Sequence, residues 1–241
     1  LHDVLAEAAF RYTTEEKTGN TQDVKNGTFT FRGNYAYNKR YFVEGVLSAM
    51  GSNRFSGSNR YFFAYAIGGA WMISKEDFMK DVKAVNSLKL KINYGHLGYA
   101  GNTGHFLYRT NWKNGDKFEH KPSTGGPTTD LVRYGNPDLK WEYSNELNIG
   151  VEGTFFNNLS ADVNYFREMR KNIIGKNTVK YAAVVGDFIP AENIGEVMNQ
   201  GIDAQVRWQD KIGEIHYNVG VNLTFTKNKL RKSDELDNIE D

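Results

Sequence analysis

Apolar and polar residues alternate along most of this chain. In ELNIGVEGTFFNNLSADVNYF, residues 146–166, Leu147, Ile149, Val151 and Phe155 share one parity, and Glu146, Asn148, Glu152 and Thr154 share the other. After Asn157-Asn158 the alternation restarts, with Leu159, Ala161, Val163 and Tyr165 set against Ser160, Asp162 and Asn164. Successive side chains of a strand point to opposite faces, so period two predicts two strands with one oily face, joined by a tight turn. The same pattern predicts strands at 3–14, 27–38, 40–51, 60–74, 87–97, 143–156, 159–170, 200–209 and 214–228. The last keeps Ile215, Tyr217, Val219, Val221, Leu223 and Phe225 on one parity. Val46, Met50 and Phe166 fall on the polar parity, and 60–74 is apolar on both.

The connections between these segments alternate in length. Those at 38–39, 157–158 and 210–213 are tight, and 75–86, with Phe78, Val82 and Val85 at helical spacing, predicts a short helix. Those at 15–26, 52–59, 98–142 and 171–199 are long, polar and glycine-rich. In an up-and-down antiparallel sheet, alternate connections lie at the same end. One end therefore carries turns and the other long loops, which is the asymmetry of an outer-membrane barrel. Tyr35, Tyr37, Tyr41, Phe155 and Trp208 fall near the turns, where an interfacial aromatic girdle would lie.

Alternation by itself fits lipid or a protein core. A soluble β-sandwich would place Arg32, Glu44, Lys89, Lys91, Asp162, Asp203 and Arg207, all on the polar parity, in outside water; a barrel would place them in a wet lumen. Several predicted strands keep alternating for ten or more positions. That exceeds the ~5–6 residues usual in soluble sheets and reaches the ~9–11 that cross a bilayer. Length and loop asymmetry favour the barrel.

Composition agrees with this and closes other routes. Of 241 residues, 14 are Tyr and 15 Phe, which suits strands. Mean hydropathy is negative, and no run approaches the ~20 apolar residues of a membrane helix. A strand-built membrane protein keeps a low average because only every second residue is oily. With 30 Lys+Arg against 29 Asp+Glu, no basic excess points to nucleic acid. Cysteine is absent, so disulfides and thiolate metal sites are excluded. The opening LHDVLAEAAF has no signal-peptide pattern, so the chain is expected to be either cytosolic or an internal piece of a longer protein.

Five segments resemble, in order, those of SusC/RagA-type TonB-dependent outer-membrane transporters. They are YAYNKRYFVEGVLSAMGSNRF (35–55), AIGGAWMISKEDFMKD with LKLKINYGHLGYAGN (66–102), YGNPDLKWEYSNELNIGVEGTFFNNLSADVNYF (134–166), ENIGEVMNQGIDAQVRW (192–208) and NLTFTKNKL (222–230). Met50 stands where the family usually has Asp, and Asp203 where it usually has Glu. The resemblance implies an all-β, antiparallel, up-and-down transmembrane β-barrel of about 22 strands, of which residues 1–241 hold about nine. It further implies a plug domain, a TonB box and C-terminal closing strands outside this chain. A SusD-like surface lipoprotein as partner, coupling to the TonB system through an N-terminal region, an oligosaccharide or peptide as cargo, and the bacterial outer membrane as location follow in the same way.

No catalytic constellation is expected. His2, His96, His105, His120 and His216 are scattered without metal-ligand spacing. GNTGHF and GSNRFSGSNR lack the lysine and setting of a phosphate loop, and Glu15-Glu16-Lys17 and 234–241 read as solvated charge. Neither metal nor cofactor is predicted. Tyr99, Phe106, Tyr108, Trp112 and Phe118 in the longest loop are the expected contacts for substrate or partner, or else pack the loop on itself. Import is weighed against a passive barrel and a soluble β-sandwich binding module; an enzyme is the least favoured.

Overall fold

The computed structural model describes residues 1–16, 23–101, 104, 106–118 and 126–233. Eleven strands follow in chain order: β1 (His2–Glu15), β2 (Val24–Tyr37), β3 (Tyr41–Ser52), β4 (Tyr61–Met72), β5 (Val85–Tyr99), β6 (Asn111–Phe118), β7 (Gly126–Arg133), β8 (Glu142–Phe155), β9 (Leu159–Lys176), β10 (Ala191–Ile212) and β11 (Ile215–Lys232). Nine form one antiparallel sheet in the order β1-β2-β3-β4-β5-β8-β9-β10-β11, while β6 and β7 make a separate hairpin. Within this sheet each strand pairs with the next one along the chain, β5 joining β8 across the inserted hairpin, and β1 and β11 remain as free edges. This is an up-and-down barrel section, not a closed barrel.

Register carries the alternation across every strand. Val4, Tyr35, Val43, Gly69, Ile92, Ile149, Tyr165, Ile202 and Phe225 stand directly opposite one another in turn. Because side chains alternate with period two, one such match fixes the face of every other residue. The apolar parity therefore forms one continuous surface. Among the described residues no second layer covers it: Phe225, Ile67 and Phe63 are 71%, 58% and 57% exposed. A β-sandwich would bury these groups against a facing sheet, so that alternative fails.

The apolar run on β11, Ile215 to Phe225, covers ten residue steps, about 33 Å along the strand. At the ~40° tilt of barrel strands this is close to the ~25 Å apolar band of outer-membrane barrels. Among the described residues no helix is long and apolar enough to cross a membrane; the strands do so.

The short end is made by tight turns. Asn38 and Lys39, and likewise Phe156 and Asn157, both take positive φ, and Arg40 N–H and Asn158 N–H close onto the carbonyls of Tyr37 and Phe155. Paired positive φ angles match the right-handed twist of the flanking strands. The third tight turn uses Gly213 at φ 61°. Between β4 and β5 the predicted short helix is absent. Two 3₁₀ turns, Ile73–Lys75 and Asp77–Met79, take its place. Phe78 is 66% exposed and Val82 40%, so the spacing had no core to pack against, and an isolated turn cannot meet the nucleation cost of an α-helix.

The long end departs further from expectation. The 98–142 segment holds the β6–β7 hairpin, and the 171–199 segment is largely strand, since β9 runs to Lys176 and β10 starts at Ala191. The alternation there is broken by register shifts between Asn193 and Val197, which hid the strands from a period-two reading.

Candidate functional site

The pairing register puts Arg32, Glu44, Lys89, Lys91, Asp162, Asp203 and Arg207 on the face opposite the apolar one. Some of them meet. Arg32 Nη2 lies 2.9 Å from Glu44 Oε1; with both side chains about half exposed, water screens the pair and it contributes little to stability. Lys91 on β5 reaches across β8 to Asp162 on β9 at 3.0 Å and also approaches Glu152 on β8 at 3.4 Å. The residue beneath its stem is Gly150, opposite Lys91 on one side and Asn164 on the other. A Cβ there would overlap Asn164 Oδ1 and press on Lys91 Cε, so the missing side chain is what lets the lysine cross. Phe166, off the expected parity, lies over Gly201 in the same way.

Lys89, Lys91 and Glu44 line a hollow of about 430 Å³ with Asp3, Asn34 and Asn93. Asp203 lines a smaller one of about 210 Å³ beside Asp162, Asn164 and Gln205. Arg207 stands opposite Ser160 and Gly220, away from both. Dispersed, water-facing groups of both signs suit solvation and weak contact. Among the described residues no cluster of three or more His, Asp or Glu could hold a metal ion. His105, His120 and the 234–241 charge run lie outside the described residues.

The loop aromatics do not converge. Tyr99 ends β5 opposite Glu142 and is 45% exposed. Phe106 and Tyr108 meet edge to face at 6.0 Å, with the Arg109 guanidinium 5.8 and 5.3 Å from their ring centres. Trp112 sits apart on β6, 57% exposed. Phe118 ends β6 opposite Gly126.

What sequence reading missed is the brace at the long-loop end. Phe55, Leu139 and Trp141 are almost wholly buried, with Met50, Phe62, Leu107, Ile174 and Ala191 around them. Trp141 stacks on Phe55 at 5.3 Å, lies 5.6 Å from Phe62, and donates its indole N–H to the Asn59 carbonyl. The surrounding NPDLKWE stretch is tied down by amides. Asn136 Nδ2 donates to the Ala191 carbonyl, and its Oδ1 accepts from Asp138 N–H. Asn193 accepts from Lys140 N–H and donates to the carbonyls of Lys140 and Asn172. Glu142, 5% exposed, accepts from Ile174 N–H and lies 3.6 Å from Arg170. Three loops and the ends of β8, β9 and β10 thus share one small core. Its signal in the sequence was a Trp and a Leu standing in a polar, proline-containing segment.

Beyond the brace, Glu192 gathers Lys180 at 2.6 Å and the Tyr181 hydroxyl at 2.7 Å. These hydrogen bonds hold both the lysine and the tyrosine above their ordinary pKa values.

A one-sheet fold with an oily jacket, a wet inner face and a braced loop end defines an outer-membrane β-barrel. The chain belongs to the TonB-dependent receptor-like β-barrel family, which it matches over residues 3–240, and its place is the outer membrane. It is 30% identical over 208 residues to TonB-dependent receptor P26 of Formosa agariphila, covering 84% of this chain and 20% of that protein. It is 27% identical over 208 residues to TonB-dependent receptor SusC of Bacteroides thetaiotaomicron, covering 83% and 20%. The fold superposes on the RagAB peptide importer in its closed-closed state with a TM-score of 0.82 at 21% identity, covering 96% of this chain and 28% of that one. The chain thus spans about a fifth of the length of these curated relatives.

Proposed function

We propose that this sheet is the middle section of a nutrient importer's barrel, one that takes up an oligosaccharide or peptide with energy from the TonB system and without altering its cargo. The observation that supports this best is the contrast between two faces of one sheet. An uninterrupted apolar surface lies outside, and a polar surface with two hollows lies inside. Lipid cannot tolerate an open sheet edge, so β1 and β11 pair with further strands, about 22 in all. The plug, the TonB box and the closing strands belong to the rest of the receptor.

On this reading Arg32, Glu44, Lys89, Lys91, Asp162, Asp203 and Arg207 line the lumen, where their charges hold the plug and set the local field. Tyr99, Phe106, Tyr108, Trp112 and Phe118 meet cargo or a SusD-like lipoprotein lid above the barrel. Deleting the receptor gene should abolish growth on at least one polymer-derived nutrient, with recovery on re-expression. Unchanged uptake of every oligosaccharide and peptide tried would sink the proposal. Uptake that survives loss of TonB would point to a passive pore.

A further inference from the structure

The triplet Lys-Asn-Gly occurs twice, at 25–27 and at 113–115, and the fold treats the two copies differently. Asn26 stands inside the large sheet on β2, with Thr13 of β1 on one side and Ser52 of β3 on the other. Gly27 lies in the same way between Tyr12 and Gly51, and the register runs unbroken on both sides. Asn114 is exposed on β6, which among the described residues pairs with β7 alone. It faces Thr129, but the next matched pair is Lys117 with Pro127. Three steps on β6 against two on β7 make a bulge over Gly115 and Asp116, where the ladder is disrupted. A Cβ at Gly115 would overlap side-chain oxygens of Asp130 and Thr128. The bulge is therefore held to glycine, the residue that shields its own amide nitrogen least.

We propose that Asn114 is a site of spontaneous covalent modification, where the side-chain amide is lost and isoaspartate forms, while Asn26 in the same triplet is spared. The Gly115 amide nitrogen gives up its proton and attacks Asn114 Cγ. A carbon–nitrogen bond forms, the Cγ–Nδ2 bond breaks and ammonia leaves, which closes a five-membered imide. Water then opens the ring. Entry at the side-chain carbonyl leaves aspartate, and entry at the main-chain carbonyl leaves isoaspartate, whose backbone is one carbon longer. The attack needs a nitrogen released from its ladder and a backbone that can rotate. A two-stranded hairpin is marginally stable by itself, so it opens locally at its break far more cheaply than a strand bonded on both sides. The product adds a negative charge two residues from Asp116. Its longer backbone also breaks the register that sets Trp112 opposite Leu131. The modification does not depend on the import reading; on that reading, it retires one of the loop contacts as the receptor ages.

The test uses the intact receptor, purified in detergent and held at neutral and at mildly alkaline pH. Peptides that contain residues 114 and 26 are followed by mass spectrometry. Isoaspartate is counted by methyl transfer from S-adenosylmethionine with a protein isoaspartyl methyltransferase. In the folded receptor Asn114 should convert roughly tenfold or more ahead of Asn26, as the difference in local opening requires. Conversion should quicken with pH, because the attacking nitrogen must first lose its proton. In urea, where neither triplet keeps its strand, the two rates should draw together, which separates the effect of the fold from that of the flanking sequence. The variant N114Q should lose the methyl-transfer signal of the folded receptor. Equal rates in the folded state, rates that stay as far apart in urea, an Asn114 that converts only after unfolding, or a signal that survives N114Q would each overturn the proposal.

Discussion

The two ends of this sheet are held by different physics. At the long-loop end, Phe55, Leu139 and Trp141 are buried, and side-chain amides close onto backbone groups from three loops. Among the described residues, nothing comparable is buried at the short-turn end. The turns are joined there by polar contacts: Asn86 Oδ1 accepts from Asn157 N–H at 2.7 Å, and a single carboxylate links the β2–β3 turn to the 73–79 segment. Glu76 accepts from the Tyr41 hydroxyl at 2.6 Å and the Trp71 indole at 2.9 Å, and lies 3.3 Å from Arg40. Asp77 beside it pairs with Lys80 at 2.7 Å. Short turns need little help, because the chain has few alternatives once two residues have adopted the turn. Long loops must lose far more conformational freedom, and a small core with satisfied polar groups offsets that loss.

The comparison can be broken most severely at the brace. Trp141→Ala removes a buried ring and an indole hydrogen bond and should cost about 3–5 kcal/mol, read as a lower midpoint for loss of heat-modifiable mobility. Trp71→Ala at the other end should cost clearly less, and equal losses would erase the distinction. Next comes Asn193→Ala. It leaves Lys140 and Asn172 backbone groups without partners and should cost about 2–3 kcal/mol; faster proteolysis within 177–190 would report the loosened loops.

A smaller effect is expected midway along the sheet. Gly150→Val forces Lys91 off its path and should cost about 1–2 kcal/mol by overpacking. Combined with Lys91→Met, part of that cost should vanish, as a double-mutant cycle would reveal.

The smallest effect belongs to Glu76. Hydrogen bonds from Tyr41, then Trp71, hold its carboxyl below the ordinary carboxylate range. The folded pKa is the lower one, so its contribution is complete above the unfolded value of about 4.3. It fades as pH falls through the depressed folded value. Acid titration of wild type beside Glu76→Gln should show their stabilities converging only below that range. A difference that persists at lower pH would remove the carboxylate from the account.

Strands were legible in the sequence because period two is written into each of them. The face of each residue followed from the same pattern, since a slip of one residue would turn Tyr35, Val43, Ile92 or Ile149 away from the face they share, whereas the register itself did not, because a slip of two keeps that face. The seven inner-face charges could be assigned to a side for the same reason, although nothing local told which of them would touch. Lys91 and Asp162 are separated by 71 residues, and only the pairing of three strands brings them together. The brace was invisible for a related reason. Leu139, Trp141 and Phe55 have no shared period, and their burial depends on loops meeting in space. The helix at 75–86 shows the opposite failure, a local spacing that no tertiary surface rewarded.

Lys91 also disciplines assembly. It finds its carboxylates on β8 and β9 only when three strands are threaded in one alignment over the bare backbone at Gly150. Slipping any of them by a single position would turn an acid or the lysine toward hydrocarbon. A mis-threaded barrel therefore carries a built-in penalty at its waist, and the absence of one methyl group is what lets the correct threading be recognised.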